Sequence, residues 1–372
     1  MQRNHITAIV ILIIALTVSG IAANEFLQMH QSDLLIPSPS LTRIGSLGDY
    51  FAKIKGGHGD TPIYYFESGK PGATVLLLGG THPNEPAGFI AATLILENLR
   101  VTEGRVIIIP QACYSAFTCT DPFEGYPQYF HINAKSGIRK FRFGSRVCNP
   151  LDQWPDPLVY SHYPSGQQLS GFESRNLNRS YPGRRNGTFS EQTGHAIMQL
   201  IKQENVTVAF DFHEAAPEIP IINAIVYHEK GEEIALTTVF SLEFEELRYA
   251  PESSPVNFRG LSHREWGDNF EVIPFLMETS NPIQGRLRGK TDENLILKGI
   301  SPEYKTALES GALRIEYKPD GEPLAGRVGR HVQGFKSILE SYNEFNAGNK
   351  VIIENIPSYN DIVENGIGNY LN

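Results

Sequence analysis

The chain has 372 residues, of which 41% are hydrophobic and 20% are charged. This size and composition allow a large core and one or two globular domains. Asp and Glu residues (41) outnumber Lys and Arg residues (32), and no basic run stands out. This pattern argues against a nucleic-acid-binding surface, and the acidic balance alone does not identify a substrate.

The N-terminal stretch combines one positive charge, Arg3, with an uncharged apolar run over residues 6–23 that ends in small residues. This order is typical of a secretory signal peptide, and the run is also long enough for an uncleaved membrane anchor. A buried core helix is less well supported because the run is not amphipathic. We therefore expect an exported protein that is periplasmic, extracellular or anchored through residues 6–23 and facing outward.

The first half of the chain then alternates between predicted strands and helices. Residues 24–50 contain prolines and serines and indicate a linker or an N-terminal cover. Residues 61–68 have an alternating pattern, which predicts an edge strand. The runs 74–80 and 105–110 are continuously apolar and predict central strands, and 85–99 has apolar residues at helical spacing and predicts a helix.

The second half begins with a long stretch, 111–188, that is rich in Pro, Gly, Tyr and Asn and indicates a functional insertion. Further along we expect a helix with a serine cap (190–205) and a strand that ends in histidine (206–213). A short strand (224–228) and helix (231–244), a strand that ends in glutamate (271–279) and an amphipathic helix (331–345) should follow.

This alternation predicts an α/β fold with a mixed, largely parallel central sheet and helices on both faces. In such sheets, ligands bind beyond the carboxyl ends of the strands. His82 and Glu85, then His213, then Glu278 each follow the end of an apolar strand. We therefore expect these four side chains to meet at one rim of the sheet.

The residue types at this rim are those of a catalytic zinc site with three protein ligands and one open position. His82 and Glu85 are three residues apart and could hold one ion together, and His213 is the best-placed third ligand. Bound zinc would acidify a water and polarise a carbonyl, and Glu278 could act as the general base. Alternatively, Glu85 is an ordinary residue of a first helical turn, His213 is a core histidine paired with Asp211, and Glu278 is a solvated carboxylate.

A second motif, Asn178-Arg179, could recognise the substrate. An arginine fork binds a carboxylate in a bidentate manner, and a neighbouring amide adds a hydrogen bond. An arginine near a zinc site therefore implies an anionic substrate group, and the alternative is an ion pair between Arg179 and a structural aspartate. The stretch 261–271 is expected to be a substrate lid or a surface loop.

The motifs together resemble the zinc carboxypeptidase superfamily. The similarity rests on the HPNE sequence at 82–85, Asn-Arg followed by an aromatic residue and proline, a strand ending in histidine and a strand ending in glutamate. The stretches "GGTHPNEPAG" and "DFH" are more similar to its succinylglutamate desuccinylase/aspartoacylase branch. The resemblance covers roughly residues 60–282. It implies hydrolysis of an amide bond and one zinc ion per chain on His82, Glu85 and His213. It also implies that Glu278 acts as general base and acid and that Asn178 and Arg179 bind the substrate carboxylate.

Some positions depart from the family pattern. Asn176 stands where the family often has an aspartate that orients the first zinc histidine, and an amide oxygen carries no charge to raise the basicity of that ligand. The family also uses a further arginine to polarise the scissile carbonyl, for which Arg142, Arg146 and Arg175 remain open. Glu214 directly follows the third ligand, and strand alternation should point its side chain away from the metal.

The sequence leads to two functional hypotheses. The first is a zinc hydrolase that cleaves an amide next to a carboxylate in a small N-acyl amino acid or peptide. The second is a non-catalytic extracytoplasmic binding protein that retains the fold. The predicted organisation is a signal peptide or anchor (1–23), a linker or cover (24–50), a hydrolase domain (51–346) with insertions around 111–188 and 283–330, and a C-terminal tail (347–372).

The remaining histidines and the cysteines carry no assigned chemistry. Seven histidines lack a partner at ligand spacing and are expected to be structural: His58, His131, His162, His195, His228, His263 and His331. The three cysteines lack the C-x-x-C spacing of a structural zinc site. A disulfide between Cys113 and Cys119, which leaves Cys148 over, and three unpaired thiols are equally good expectations.

Overall fold

The computed structural model describes residues 2–121, 124–219, 221–313, 317–318 and 320–372. Its strands are β1 (Arg43–Ser46), β2 (Pro62–Glu67), β3 (Thr74–Leu78), β4 (Arg100–Glu103), β5 (Arg105–Ile109), β6 (Tyr129–Ala134), β7 (Gly137–Arg142), β8 (Val159–Ser161), β9 (Gln168–Ser170), β10 (Val208–Ala215), β11 (Ala224–Tyr227), β12 (Ala250–Ser253), β13 (Ile273–Ser280) and β14 (Ile352–Glu354). Its α-helices are α1 (Gln2–Gln28), α2 (Pro86–Asn98), α3 (Phe189–Gln203), α4 (Glu232–Phe244), α5 (Ser262–Asn269), α6 (Glu293–Lys298), α7 (Pro302–Glu309), α8 (Leu324–Phe345) and α9 (Tyr359–Asn365).

Eight strands of the described chain form one mixed sheet in the order β1-β2-β5-β3-β10-β13-β11-β12. The four central strands, β5, β3, β10 and β13, run parallel to their neighbours within that group. The strands β1 and β2 pair antiparallel on one side, and β11 pairs antiparallel to β13 on the other. The predicted α/β fold with a largely parallel sheet is therefore confirmed.

The apolar run of β3 explains why helices cover both faces. Val75 and Leu77 pack in the core with residues of α2, α4 and α8, whereas Leu76 and Leu78 pack in the core with residues of α3 and Trp266 of α5. Alternate side chains of a strand point to opposite faces, so a strand covered on both sides must be apolar at every position.

Three local expectations need correction. The segment 61–68 is not an edge strand, because β1 pairs outside β2. The N-cap of α3 is Thr188, whose side chain accepts the N–H of Glu191 in a capping box, and Ser190 lies inside the helix. The helix predicted over 331–345 begins at Leu324, and its glycine-rich first turns obscured the helical period in the sequence.

The helix α1 is exposed, and the most apolar window of its segment Asn4–Gln28 has a mean hydropathy of 2.6. By length and composition this segment could be a membrane span or a signal sequence. The chain enters the folded body directly afterwards, because Met29 is fully buried. The guanidinium of Arg142 donates to the Met29 carbonyl at 3.0 Å and to Asp33 Oδ1 at 3.2 Å. This part of residues 24–50 therefore packs against the body.

The remaining described segments also pack around the sheet. In the tail, β14 pairs with β4 and α9 packs against α8. The stretch 283–330 contains α6, α7 and the first turns of α8. The three cysteines are free thiols, so the expected alternative of a Cys113–Cys119 disulfide is not realised.

Candidate metal centre

Close packing between α2 and β10 positions the HPNE loop. The loop follows β3, and Glu85 is the N-cap residue of α2. Gly88, in the first turn of that helix, lies so close to β10 that an added Cβ would come within 2.5 Å of the Phe212 carbonyl oxygen. Only glycine permits this approach, which brings the start of α2 beside His213.

The side chains of His82, Glu85 and His213 converge at the carboxyl ends of β3 and β10. His82 Nδ1 lies 2.8 Å from Glu85 Oε1, His213 Nδ1 lies 2.9 Å from Glu85 Oε2, and the two Nδ1 atoms are 3.2 Å apart. All three residues are buried, and among the described residues they are the group whose ligand atoms could hold a metal ion. Tetrahedral zinc with bonds of about 2.0 to 2.1 Å separates its ligand atoms by roughly 3.3 Å, so small outward shifts would fit the ion.

The outer nitrogens of both imidazoles face oxygen acceptors. His82 Nε2 lies 2.8 Å from Asn176 Oδ1, the contact expected of an amide at this position. His213 Nε2 lies 2.9 Å from a carboxylate oxygen of Asp211, which also accepts from the hydroxyls of Thr81 and Ser262. The Asn176 acceptor keeps the ring proton of His82 on Nε2, so its Nδ1 atom presents a lone pair to the centre. The contact between His213 and Asp211 is an ion pair.

The centre therefore brings two imidazole nitrogens and a carboxylate together, a set of ligand atoms that a cation can bind once the Nδ1 atom of His213 has lost its proton. Burial lowers the pKa of His82 to about 4, which keeps its ring neutral. Burial opposes ionisation of Glu85, but its interactions and hydrogen bonds with His82 and His213 hold the pKa of Glu85 well below its usual range. Despite burial, the carboxylates of Asp211 and Glu85 raise the pKa of His213 well above its usual value. This donor set fits a divalent cation such as zinc.

Glu278 lies beside His213 in the parallel pairing of β10 and β13. Residues opposite one another in a sheet point to the same face, so its side chain belongs to the same rim. Burial raises the pKa of Glu278 to about 8. Its Oε2 atom is buried and has no hydrogen-bond partner among the described residues, so this carboxylate is available to a ligand.

The Asn178-Arg179 motif lies near this rim on the 3₁₀ turn Leu177–Arg179. The Asn178 side chain accepts the backbone N–H of Ser262 through Oδ1 at 2.8 Å, which fixes the amide. Burial and the nearby charge of Arg146 lower the pKa of Arg179 to about 10, so the guanidinium stays charged at neutral pH. Its ion-pair partner is Glu173 at 3.8 Å, not an aspartate.

Of the three candidate arginines for carbonyl polarisation, Arg146 lies at the centre. Its Nη1 atom is 3.0 Å from Glu85 Oε1 and 3.3 Å from His82 Nδ1. Arg142 instead binds Asp33 and the Met29 carbonyl, and Arg175 forms an ion pair with Asp156 at 2.7 Å. Arg142 and Arg175 therefore support the N-terminal cover and the insertion.

Two supporting elements were missed by sequence reasoning. Glu214 points away from the centre, as alternation predicts, but its backbone N–H donates to Glu85 Oε2 at 3.0 Å and its carboxylate accepts the Ala87 N–H at 2.8 Å. The stretch 261–271 is neither a lid nor a surface loop. It contains α5, whose residues 262–267 are buried, and Ser262 of this helix connects Asn178 with Asp211. Its serine and buried tryptophan were the available signals.

No protein-family model matches the chain, and no curated protein matches it in sequence. Solved structures similar to it include a product-bound ectoine utilization protein EutE (DoeB) from Ruegeria pomeroyi, with 20% identity, 67% of this chain and 64% of that protein covered, and a TM-score of 0.39. An aspartoacylase family protein from Mesorhizobium loti has 19% identity, coverages of 59% and 56%, and a TM-score of 0.36. A tripeptide-bound cell shape determinant protein Csd4 from Helicobacter pylori has 14% identity, coverages of 79% and 56%, and a TM-score of 0.43.

The chain thus spans less than two thirds of the length of each of these proteins. Two further similar structures are a succinylglutamate desuccinylase from a Silicibacter species and a succinylglutamate desuccinylase/aspartoacylase from Rhodobacter sphaeroides, at 18% and 19% identity. Solved structures similar to this chain therefore include proteins of the aspartoacylase and succinylglutamate desuccinylase families, the branch that the sequence motifs resemble.

Proposed function

We propose that this chain is a zinc-dependent hydrolase that cleaves an amide bond next to a carboxylate. The observation that carries the proposal is the convergence of His82 Nδ1, His213 Nδ1 and the Glu85 carboxylate, which lie 2.8 to 3.2 Å from one another. These three residues would hold one zinc ion. When bound, the ion would lower the pKa of a water and polarise the substrate carbonyl.

Glu278 is the proposed general base and acid. Its position beside His213 and its unpartnered Oε2 atom support this role. A carboxylate there would accept a proton from the attacking water and deliver it to the leaving nitrogen as the C–N bond breaks. The raised pKa favours this exchange, because a carboxyl group with a pKa nearer to neutrality both accepts and returns a proton.

Asn178 and Arg179 are the proposed binding residues for the substrate carboxylate. The Ser262 N–H occupies Asn178 Oδ1, which leaves its NH₂ group for a ligand oxygen. Arg179 is charged, its Nη1 atom donates to the Asn178 carbonyl at 2.7 Å, and its ion pair with Glu173 is long at 3.8 Å. The remaining N–H groups of the fork are proposed to bind the substrate carboxylate. Arg146, which contacts Glu85, is the proposed residue that polarises the scissile carbonyl.

The domain assignment and the location remain part of this proposal. The hydrolase domain is proposed to cover 51–346, because the residues of the centre and α8 lie within it. The exposed apolar helix α1 supports export or an outward-facing anchor. The substrate is then a small acyl amino acid or peptide encountered outside the cytoplasm.

The proposal is tested with zinc-loaded protein and a panel of acyl amino acids and short peptides with a free carboxylate. We expect hydrolysis of at least one class, and in Glu278→Gln we expect turnover to be lost while zinc is retained. Zinc binding without any turnover in the wild-type protein would favour the alternative of a non-catalytic binding protein.

A further inference from the structure

A cavity of about 730 Å³ opens beside the HPNE loop. Its lining includes Asn84, which lies between the proposed ligands His82 and Glu85, and Arg146, which contacts Glu85. Asn178 and Arg179 are not among its lining residues. If those two residues bind the carboxylate of the leaving group, the cavity receives the acyl side of the substrate. The role of the cavity therefore rests on the proposed function.

Three polar atoms of the cavity lining lack a hydrogen-bond partner among the described residues. They are Asn84 Oδ1, Glu218 Oε2 and Gln284 Nε2. Asn84 is only 4% exposed, and a buried polar atom without a partner is costly to the folded state. Two of the three atoms are acceptors, so a ligand that carries N–H donors would satisfy them.

The charges of the lining also leave a negative group without a partner. Arg146 contacts Glu85 and is assigned to the scissile carbonyl, and Arg288 pairs with Glu124 at 2.5 Å. Glu218 is half-buried and accepts from the Tyr304 hydroxyl at 2.9 Å and the Leu287 N–H at 3.0 Å. Both donors are neutral, and both bind Oε1. No cationic side chain of the described residues lies within ion-pair distance of Glu218.

The other unpaired ionisable residues of the lining are Asp121, which accepts from the Ser145 hydroxyl at 2.9 Å, and the exposed Arg286. The unpaired groups are thus two carboxylates and one solvated guanidinium. When a ligand displaces water from a pocket, an ionised carboxylate in the lining is costly unless a cation pairs with it. The lining therefore favours a positively charged ligand group over the carboxylate-bearing acyl groups that arginines would bind.

We propose that the cavity binds a primary ammonium group on the acyl side of the substrate, held by the Glu218 carboxylate. The substrate is then a short peptide, not an N-acyl amino acid with a neutral or anionic acyl group. The ammonium comes from a free α-amino group or from an amine-bearing side chain. Both sources present three N–H donors to this carboxylate.

The two sources can be compared with peptides that end in alanine and differ only in the acyl residue. N-acetyl-lysyl-alanine carries a side-chain ammonium, norleucyl-alanine an α-ammonium, and N-acetyl-norleucyl-alanine carries neither. For the zinc-loaded wild-type protein, we expect kcat/KM for one of the ammonium-bearing peptides to exceed that for the neutral peptide about tenfold or more. Only an ammonium group can form a charge-assisted hydrogen bond with the Glu218 carboxylate.

In Glu218→Gln, this ratio should fall to near one, and in Glu218→Asp it should be partly retained. Glu271→Gln is the matched control, because the Glu271 side chain is 99% exposed and is absent from the cavity lining. This control should keep the wild-type ratio. A thermal unfolding curve shows that each variant is folded.

Equal cleavage of all three peptides, or a ratio that is unchanged in Glu218→Gln, would overturn the ammonium site and leave the proposed hydrolase intact. Cleavage restricted to acyl amino acids without an ammonium group would likewise overturn the ammonium site and leave the proposed hydrolase intact. Zinc-loaded protein that cleaves neither peptides nor acyl amino acids would overturn the hydrolase proposal and the ammonium site together.

Discussion

Glu214 and Arg327 form a buried ion pair, with Arg327 Nη1 2.6 Å from Glu214 Oε1 and both side chains at most 1% exposed. Glu214 follows His213 in β10; its backbone N–H donates to the Glu85 side chain, and its carboxylate accepts from the backbone N–H of Ala87 in α2. Arg327 lies in the first turn of α8 and also donates to the carbonyls of Ile296 and Glu322. This pair therefore links the candidate metal centre to the segment 283–330, whose role the sequence left open.

We expect Arg327→Met to lower the free energy of unfolding by about 3 to 5 kcal/mol, because the substitution leaves Glu214 buried without a counter-charge. The double variant Glu214→Gln/Arg327→Met should recover part of this loss. Denaturant unfolding at constant pH measures both effects. Arg330→Met is the control on the same helix, since Arg330 donates to the Arg248 carbonyl and has no ion pair among the described residues. Equal losses in the single and double variants would contradict a charge-based explanation.

The structure gives a reason for asparagine at position 176. Asn176 Nδ2 donates to Glu173 Oε2 at 2.7 Å, while Oδ1 faces His82. An aspartate would set two carboxylates against each other, so we expect Asn176→Asp alone to be destabilised by about 1 to 3 kcal/mol.

The double variant Glu173→Gln/Asn176→Asp removes this repulsion and places a charged acceptor on His82. We expect its zinc affinity to rise about tenfold over the wild-type value, because an anionic partner increases the basicity of a ligand histidine. Competition with a chromophoric chelator measures the affinity. A single Asn176→Asp variant with wild-type stability would show that Glu173 does not constrain this position.

Glu278→Gln should reduce kcat by about 10² to 10⁴ while zinc stays bound, since the isosteric amide cannot accept a proton. The pH profile gives a second readout. Burial raises the pKa of Glu278 to about 8, and a bound cation would lower it again. Glu278 must be ionised to act as base, so kcat/KM should rise with pH along a limb with a pKa between the usual 4.5 and 8. The same limb in Glu278→Gln would assign it to another group.

The central features of the fold and of the candidate site could be predicted because they depend on local patterns. The apolar runs of the strands predicted over 74–80, 206–213 and 271–279 identified β3, β10 and β13. Since parallel strands end at the same edge, the proximity of His82 to His213 followed from a position just after β3 and a position near the carboxyl end of β10. Alternation along β10 also predicted that Glu214 would point away from His213.

The supporting contacts could not be predicted because they join residues that are distant in sequence. Arg327 lies 113 residues after Glu214, and no local pattern connects the two. Ser262 binds Asn178 and Asp211 from a helix that the sequence suggested was a lid or a loop. The choice among Arg142, Arg146 and Arg175 likewise depends on how the insertion folds back onto the HPNE loop.

Zinc titration of the chelator-treated protein tests the convergence of His82, Glu85 and His213 most directly. We predict about one tightly bound zinc ion per chain. The variant His213→Ala should lose more than about 100-fold in affinity, since removing a ligand costs more than removing its outer partner. His131→Ala, at a partly exposed histidine paired with Glu293, should bind zinc like the wild-type protein. A wild-type protein that binds no zinc, or equal binding by His213→Ala, would contradict the proposed metal centre.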